Sequence, residues 1–241
     1  MQRRLALFQR YFAYAMIHDM KSPLNTILMG AHILNTGKLE EQAEKKKKYL
    51  QAISDECNHL LTLSNRVILL TQIEKDELQL HKETVVLEPL IDDLIEKFRL
   101  KTHKPVEFSK AFHHCNSVYA DAFCLREILS NLIDNAIKYS GDSPHIQITA
   151  EERNGSVIIR ITDNGIGIEE EHLAHIFDKF YRVSNSKRPP VRGYGIGLFY
   201  VKTMIHMHNG TIRVESQPGK GSCFIITLPQ THERQEIDII G

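Results

Sequence analysis

A long apolar stripe constrains the first third of this chain more than any other feature. Leu5, Phe8, Phe12, Met16, Met20, Leu24, Ile27, Ala31 and Leu34 recur at steps of three and four, the period of one face of an α-helix. Asn35-Thr36-Gly37 ends the pattern, with Gly37 suited to a left-handed C-terminal cap. A second stripe runs from about Lys45 to Leu80 through Leu50, Ile53, Cys57, Leu60, Val67 and Leu70, widened by Leu61, Leu63, Ile68 and Ile73. Each helix would reach about 45 Å at about 1.5 Å per residue. Two helices alone cannot cover stripes this broad. Two hairpins can cover each other as a four-helix bundle, so the pattern predicts a homodimer.

Charge and apolar content narrow the class. Thirty basic residues balance thirty acidic ones, so nucleic acid is not an expected partner. Runs such as Val67-Ile68-Leu69-Leu70 are far too short to span a bilayer. The start, Met1-Gln2-Arg3-Arg4-Leu5, lacks the apolar core of a secretory signal. Cys57, Cys115, Cys124 and Cys223 form no C-x-x-C pair, which reads as free thiols and no structural zinc site.

The remaining two thirds read as α/β, with the boundary at residues 80–83. Strands are expected at 83–86, 105–108, 145–150, 157–161, 211–215 and 222–228. Helices are expected at 88–101, 121–139 and 195–208. Asp121 is an N-cap candidate, Asn154-Gly155 a hairpin signal, and Pro218-Gly219 a turn.

Four motifs carry chemistry. His18-Asp19-Met20-Lys21-Ser22-Pro23-Leu24 lies in the first helix. His18 falls about 200° around the helix from Met16, away from the apolar stripe. Pro23 removes the amide that would bond the Asp19 carbonyl, so the kink falls beside the histidine. Taken alone, an H-D pair reads as a surface histidine on a proline-kinked helix. Asn131 and Asn135 share a helix face with Tyr139 and, roughly, Lys138. A carboxamide oxygen suits Mg²⁺ and Lys138 offers charge to phosphates, although a solvated helix face has the same pattern. Asp163-Asn164-Gly165-Ile166-Gly167-Ile168 follows a strand. Its carboxylate can accept the exocyclic amine of adenine, or the motif is simply a D-N-G turn. Gly193-Tyr194-Gly195-Ile196-Gly197-Leu198 opens a helix, a place where amides hold phosphate. It matches neither the P-loop nor G-x-G-x-x-G.

Together, in this order, the motifs resemble the catalytic core of a bacterial sensor histidine kinase of two-component signalling. The first is similar to that family's H-box, the second to its N-box, the third and fourth to its G1 and G2 boxes. Phe177-Asp178-Lys179-Phe180-Tyr181-Arg182 is similar to its F-box. The resemblance implies an α+β protein. Residues 1–82 form a dimerisation and histidine-phosphotransfer hairpin. Residues 83–229 form an α/β sandwich ATP-binding domain of the Bergerat type, and 230–241 a tail. It implies that His18 accepts phosphate, that Asp19 acts as its base, and that the Ser22 hydroxyl positions water for dephosphorylating a partner. Asn135 would hold Mg²⁺, with Asn131, Lys138 and Tyr139 on phosphates or nucleoside. Asp163 would read adenine in a pocket shaped by Gly165 and Gly167. Gly193, Gly195 and Gly197 would frame the lid and triphosphate, with Tyr194 and Leu198 in the same nucleotide site, and Arg182 would approach the γ-phosphate. The implied cofactors are ATP and Mg²⁺. The implied partner is the receiver domain of a response regulator. The implied setting is the cytoplasmic core of an inner-membrane receptor, reaching the membrane only through segments outside this chain. An ATPase or serine kinase with the same pocket would leave His18 unexplained. A pseudokinase scaffold would be expected to lack Asn135, Asp163 or a glycine, and all are present.

Overall fold

A computed structural model describes residues 20–36, 42–74, 79–102, 104–179, 181–183 and 195–230. The chain divides into two compact units, Met1–Leu78 and Gln79–Gly241.

In the first unit, helix α1 covers residues 20–35 and α2 covers Ala43–Glu74. The Thr36 amide closes α1 on the His32 carbonyl at 3.1 Å. Glycine inside a helix costs about 0.5–1 kcal/mol relative to alanine, and Gly30 has a packing reason. A methyl there would stand 3.0 Å from Ile53 Cγ1 of α2, so its absence lets the helices close. Pro23 and Gly30 are buried, whereas Leu28, Met29 and Leu61 are 65%, 66% and 62% exposed. Large apolar side chains of both helices are thus left uncovered within the hairpin. Ser22 is exposed in α1. His18 and Asp19 lie outside the described residues. The second helix was expected to run to Leu80, but Gln79–His81 are not helical.

The second unit begins with β1 (Lys82–Val86) and α3 (Leu87–Lys101), followed by β2 (Glu107–His113) and β3 (Ser117–Asp121). Then come α4 (Ala122–Tyr139), β4 (His145–Arg153), β5 (Ser156–Asp163) and the short α5 (Glu170–Leu173). The unit ends with α6 (Gly197–Met207), β6 (Thr211–Gln217) and β7 (Gly221–Pro229). Five strands form one sheet in the order β2-β4-β5-β7-β6, with β2 parallel to β4 and the others antiparallel. β1 and β3 form a separate antiparallel pair. Strand β3 was not expected from the sequence, where only Asp121 of this segment had a role, as a helix cap. Its pairing with β1 sets Lys82 opposite Asp121.

Alternation on β5 buries Val157, Ile159 and Ile161 and leaves their neighbours half exposed. β5 packs against α4, which buries Leu125, Ile128, Leu129, Leu132 and Ile133, and α6, which buries Tyr200, Val201, Met204 and Ile205, packs on α4 and β6. Asn154 and Gly155 turn the β4–β5 hairpin with φ of 52° and 70°, the left-handed pair such a tight turn needs. All four cysteines are free thiols.

Asp121 caps α4 through one carboxylate oxygen and holds the residue before β1 through the other. Oδ1 accepts the Cys124 amide at 3.0 Å and Oδ2 accepts the His81 amide at 2.9 Å. Burial works to raise its pKa, yet the amides of Cys124 and His81 win and hold the carboxyl below its ordinary 3.8. Asp121→Ala is expected to cost about 0.5–2 kcal/mol of stability in thermal or urea unfolding. A depressed acid stabilises the fold when ionised. The wild-type advantage should therefore persist down to about pH 3.8 and vanish as the pH falls through the lower folded value.

Candidate functional site

Strand β5 ends on a carboxylate at a position its own period buries. Asp163 follows Val157, Ile159 and Ile161 on the inward face and keeps 8% of its surface. A buried carboxylate needs donors, and Oδ1 receives the Gly165 amide at 2.8 Å and the Ser222 amide at 3.3 Å. Burial raises the Asp163 pKa, and those two amides oppose the rise. Both bonds fall on Oδ1, and among the described residues nothing donates to Oδ2.

Glycines let three segments converge on this group. A methyl on Gly165 would sit 2.6 Å from Asp163 Oδ1 and 2.8 Å from the Tyr139 carbonyl oxygen. Gly167, at φ +69°, has no room for a methyl beside the Gln217 carbonyl. Gly221, at φ +95°, has none beside the Asp163 carbonyl. Hydrogen bonds then join the loop to its neighbours. The Ile166 amide donates to Tyr139 O at 3.1 Å, the Gly219 amide to Ile166 O at 2.7 Å, and the Ile168 amide to Ser216 Oγ at 2.8 Å. Residues 163–168 are thereby wedged between the end of α4 and the β6–β7 turn. Ser216, Gly221 and Ser222 were not singled out in the sequence. Ser222 and Gly221 contribute through the backbone, which leaves little side-chain signal.

Helix α4 brings the asparagines past this loop. Asn131 is buried and donates Nδ2 to the Glu127 carbonyl at 2.8 Å. A Cβ on Gly197, at the start of α6, would lie 3.1 Å from Asn131 Oδ1, so α4 and α6 touch at the second and fourth motifs. Asn135, one turn on, is half buried. Lys138, expected to face phosphates, pairs with Asp134 at 2.5 Å. Both partners are about a third exposed, so the pair is worth little and can be released. Tyr139 remains 44% exposed. Desolvation raises its pKa, while the charge of Arg182 acts in the opposite sense. The F-box thus delivers its arginine near the end of α4.

The F-box is anchored at Phe177, which meets Phe224 of β7 edge-on at 6.4 Å. Lys202 of α6 lies 5.9 Å over the Phe177 ring. Tyr181 places its hydroxyl 2.8 Å from His172 Nδ1. Gly195, expected inside the helix, has φ +66°, which a right-handed helix does not admit. Helix α6 therefore opens at Gly197, with Leu198 half buried in its first turn. Gly193, Tyr194 and Phe180 lie outside the described residues. Among the described residues Glu169, Glu171 and His172 bring ligand atoms within 4.8 Å of one another, but Tyr181 already engages the ring of His172.

A carboxylate on a sheet, reached by glycine-framed loops and flanked by an asparagine helix, forms the candidate ligand site of this α/β unit. Residues 120–232 match the family described as histidine kinase-, DNA gyrase B-, and HSP90-like ATPase, and residues 8–76 match the His Kinase A (phospho-acceptor) domain. The sensor protein RprX of Bacteroides fragilis is 32% identical over 95% of this chain and 45% of its own length. The sensor protein SrrB of Staphylococcus aureus is 31% identical over 95% of this chain and 39% of its own length. Among solved structures, the histidine kinase ThkA in complex with the response regulator protein TrrA superposes with a TM-score of 0.64. It is 26% identical, covering 97% of this chain and 65% of that one. The mycobacterial sensor histidine kinase MprB gives 0.53 at 28% identity, covering 61% of this chain and 97% of that one. The chain belongs to the bacterial sensor histidine kinases and carries their catalytic core. It spans under half the length of these curated relatives.

Gly167→Ala tests the loop geometry. Alanine in a left-handed conformation costs about 1–2 kcal/mol, and the Gln217 carbonyl adds a clash. The melting temperature and the affinity for ATP should both fall. Gly141→Ala, where a methyl meets nothing within 4 Å, should change neither.

Proposed function

We propose that this chain is the core of an ATP-dependent protein-histidine kinase. It phosphorylates His18 from Mg-ATP and passes the phosphoryl group to an aspartate of a response regulator. The observation that carries the reading is the union, in one chain, of a phospho-acceptor family match spanning His18 and an ATPase family match spanning the buried Asp163. The phosphotransfer hairpin belongs to residues 1–82, the ATP-binding domain to 83–229, and 230–241 is a tail.

Asp163 accepts the exocyclic N–H of adenine on Oδ2, the oxygen that no described residue engages. Asn131 and Tyr139 line the phosphates or nucleoside, with Lys138 released from Asp134 to join them. Gly165 and Gly167 shape the pocket. Gly193, Gly195 and Gly197 frame its mouth, with Tyr194 and Leu198 beside them. Asn135 would hold Mg²⁺; its half-buried carboxamide has no partner among the described residues, and a hard oxygen ligand fits that ion. When bound, the ion neutralises developing charge on the phosphates. Arg182 adds positive charge near the γ-phosphate. A ring nitrogen of neutral His18 forms the N–P bond as the bond from phosphorus to the β-phosphate oxygen breaks and ADP leaves. The second ring nitrogen gives its proton to Asp19, general-base help worth roughly 10²–10⁴ in rate. The complex of ThkA with a response regulator supports a receiver domain as the acceptor. Ser22, exposed in α1, positions water when the regulator is dephosphorylated. The apolar residues left exposed on the hairpin, Leu28 and Leu61 among them, are covered by a second copy in a four-helix bundle. Among the described residues no helix is long and apolar enough to cross a membrane. The proposed setting is the cytoplasmic side of an inner-membrane receptor.

Incubation with γ-labelled ATP and Mg²⁺ tests the chemistry. The label should be acid-labile and alkali-stable, as a phosphoramidate is, and an acid-stable label would point to serine instead. Asp163→Asn replaces an acceptor with a group that also donates. A hydrogen bond to a charged group is worth about 1.5–3 kcal/mol, so calorimetry should show ATP affinity weakened by about ten- to a hundredfold. Sedimentation should give a dimer for the chain and a shift towards monomer for Leu28→Glu.

A further inference from the structure

Where the far ends of α4 and α6 meet, a buried imidazole sits that the proposed chemistry does not use. His208 closes the C-terminus of α6 and keeps 3% of its surface. Its Nδ1 lies 2.7 Å from the Met204 carbonyl oxygen, which can only accept, so Nδ1 carries the proton. Its Nε2 lies 3.0 Å from the Asp121 amide, which can only donate, so Nε2 is bare. The two contacts together select the neutral Nδ1–H tautomer. Asp121 is the N-cap of α4, so a single ring ties the last turn of α6 to the first turn of α4. At the other end of this contact, Asn131 Oδ1 lies 3.1 Å from where Gly197 would carry a Cβ. That spacing leaves little slack for one helix to slide on the other.

We propose that His208 is a positioning residue for the nucleotide site, holding α6 in the register on α4 that sets Gly197 against Asn131. The inference rests on the reading of Asn131, Asn135 and Gly197 as nucleotide-site residues. Burial and charge around the ring favour the neutral form. Burial disfavours the imidazolium most, Lys82 of β1 adds repulsion, and the Met204 carbonyl and Asp121 pull the other way without prevailing, so the pKa of the ring is held below its ordinary 6.5.

Imidazole ¹⁵N spectra of the full chain should show His208 as the neutral Nδ1–H tautomer. Calorimetry with Mg-ATP should then show His208→Phe, which keeps the ring volume and loses both polar atoms, binding about five- to tenfold more weakly. His208→Gln should bind close to wild type, because its carbonyl oxygen can take the Asp121 amide. His208→Asn keeps a donor for Met204 but is too short for Asp121. It should reproduce the loss in a milder background, so the test survives if the phenylalanine variant does not fold. A purely structural histidine predicts lower melting temperatures with unchanged ATP affinity of the folded variants, and that result overturns the proposal. An Nε2–H ring in the wild type overturns it too. Asp163→Asn is measured alongside. If it loses ATP and the His208 variants do not, the positioning role fails alone. If Asp163→Asn binds ATP normally, the site reading fails and this inference with it.

Discussion

Burial of one carboxylate organises the second unit. Asp163 occupies the inward position of β5 that the strand's alternation reserves for an apolar side chain. An ionised group there is tolerable only with donors at hand, and the Gly165 and Ser222 amides supply them. Those amides can come close only because the chain around them lacks Cβ atoms. Gly165, Gly167 and Gly221 each stand where a methyl would strike backbone or the carboxylate itself. The glycine pattern and the buried acid are therefore one structural fact. The same arrangement leaves Oδ2 as an acceptor for a ligand.

A second constraint is the seam between α4 and α6. Their apolar faces bury Leu132, Ile133, Tyr200 and Met204 completely, while their polar residues meet at Asn131 and Gly197 near the site. Close packing transmits small displacements, so the site geometry depends on how the helices are held along their whole length. The capping network at Asp121 and His208 does this at the far end. It also takes in the His81 amide, just before β1 begins.

Much of this was readable before any coordinates, for definable reasons. Helices α3 and α4 and hairpin β4–β5 carry strong local periodicity and a left-handed Asn154-Gly155 turn. The burial of Asp163 is written in the alternation Val157, Ile159, Ile161, Asp163. Strand β3 was not legible because Ser117–Asp121 is short and its partner β1 lies far upstream. Nor was the true start of α6, since only the backbone reveals that Gly195 sits at positive φ. Helix spacing and the family resemblance set Lys138 towards phosphates and gave no sign of its ion pair. Asp134, one turn earlier on the same face, takes its ammonium in this structure. The one donor to Asp163 from β7, the Ser222 amide, is a main-chain group that residue type does not advertise. In the first unit Gly30 was a signal left unused, a helix-breaking residue inside a helix that marks close approach to Ile53.

The central claim is that a single imidazole, on the hairpin, receives phosphate from a pocket built on Asp163. The most direct measurement compares wild type with His18→Gln in two readouts, label transfer from γ-labelled ATP and ATP affinity by calorimetry. The account predicts that the variant takes up no acid-labile label and binds ATP as wild type does, because the acceptor and the pocket lie in different units. Persistent acid-labile labelling of His18→Gln would contradict it, and would assign the acceptor role to another of the thirteen histidines.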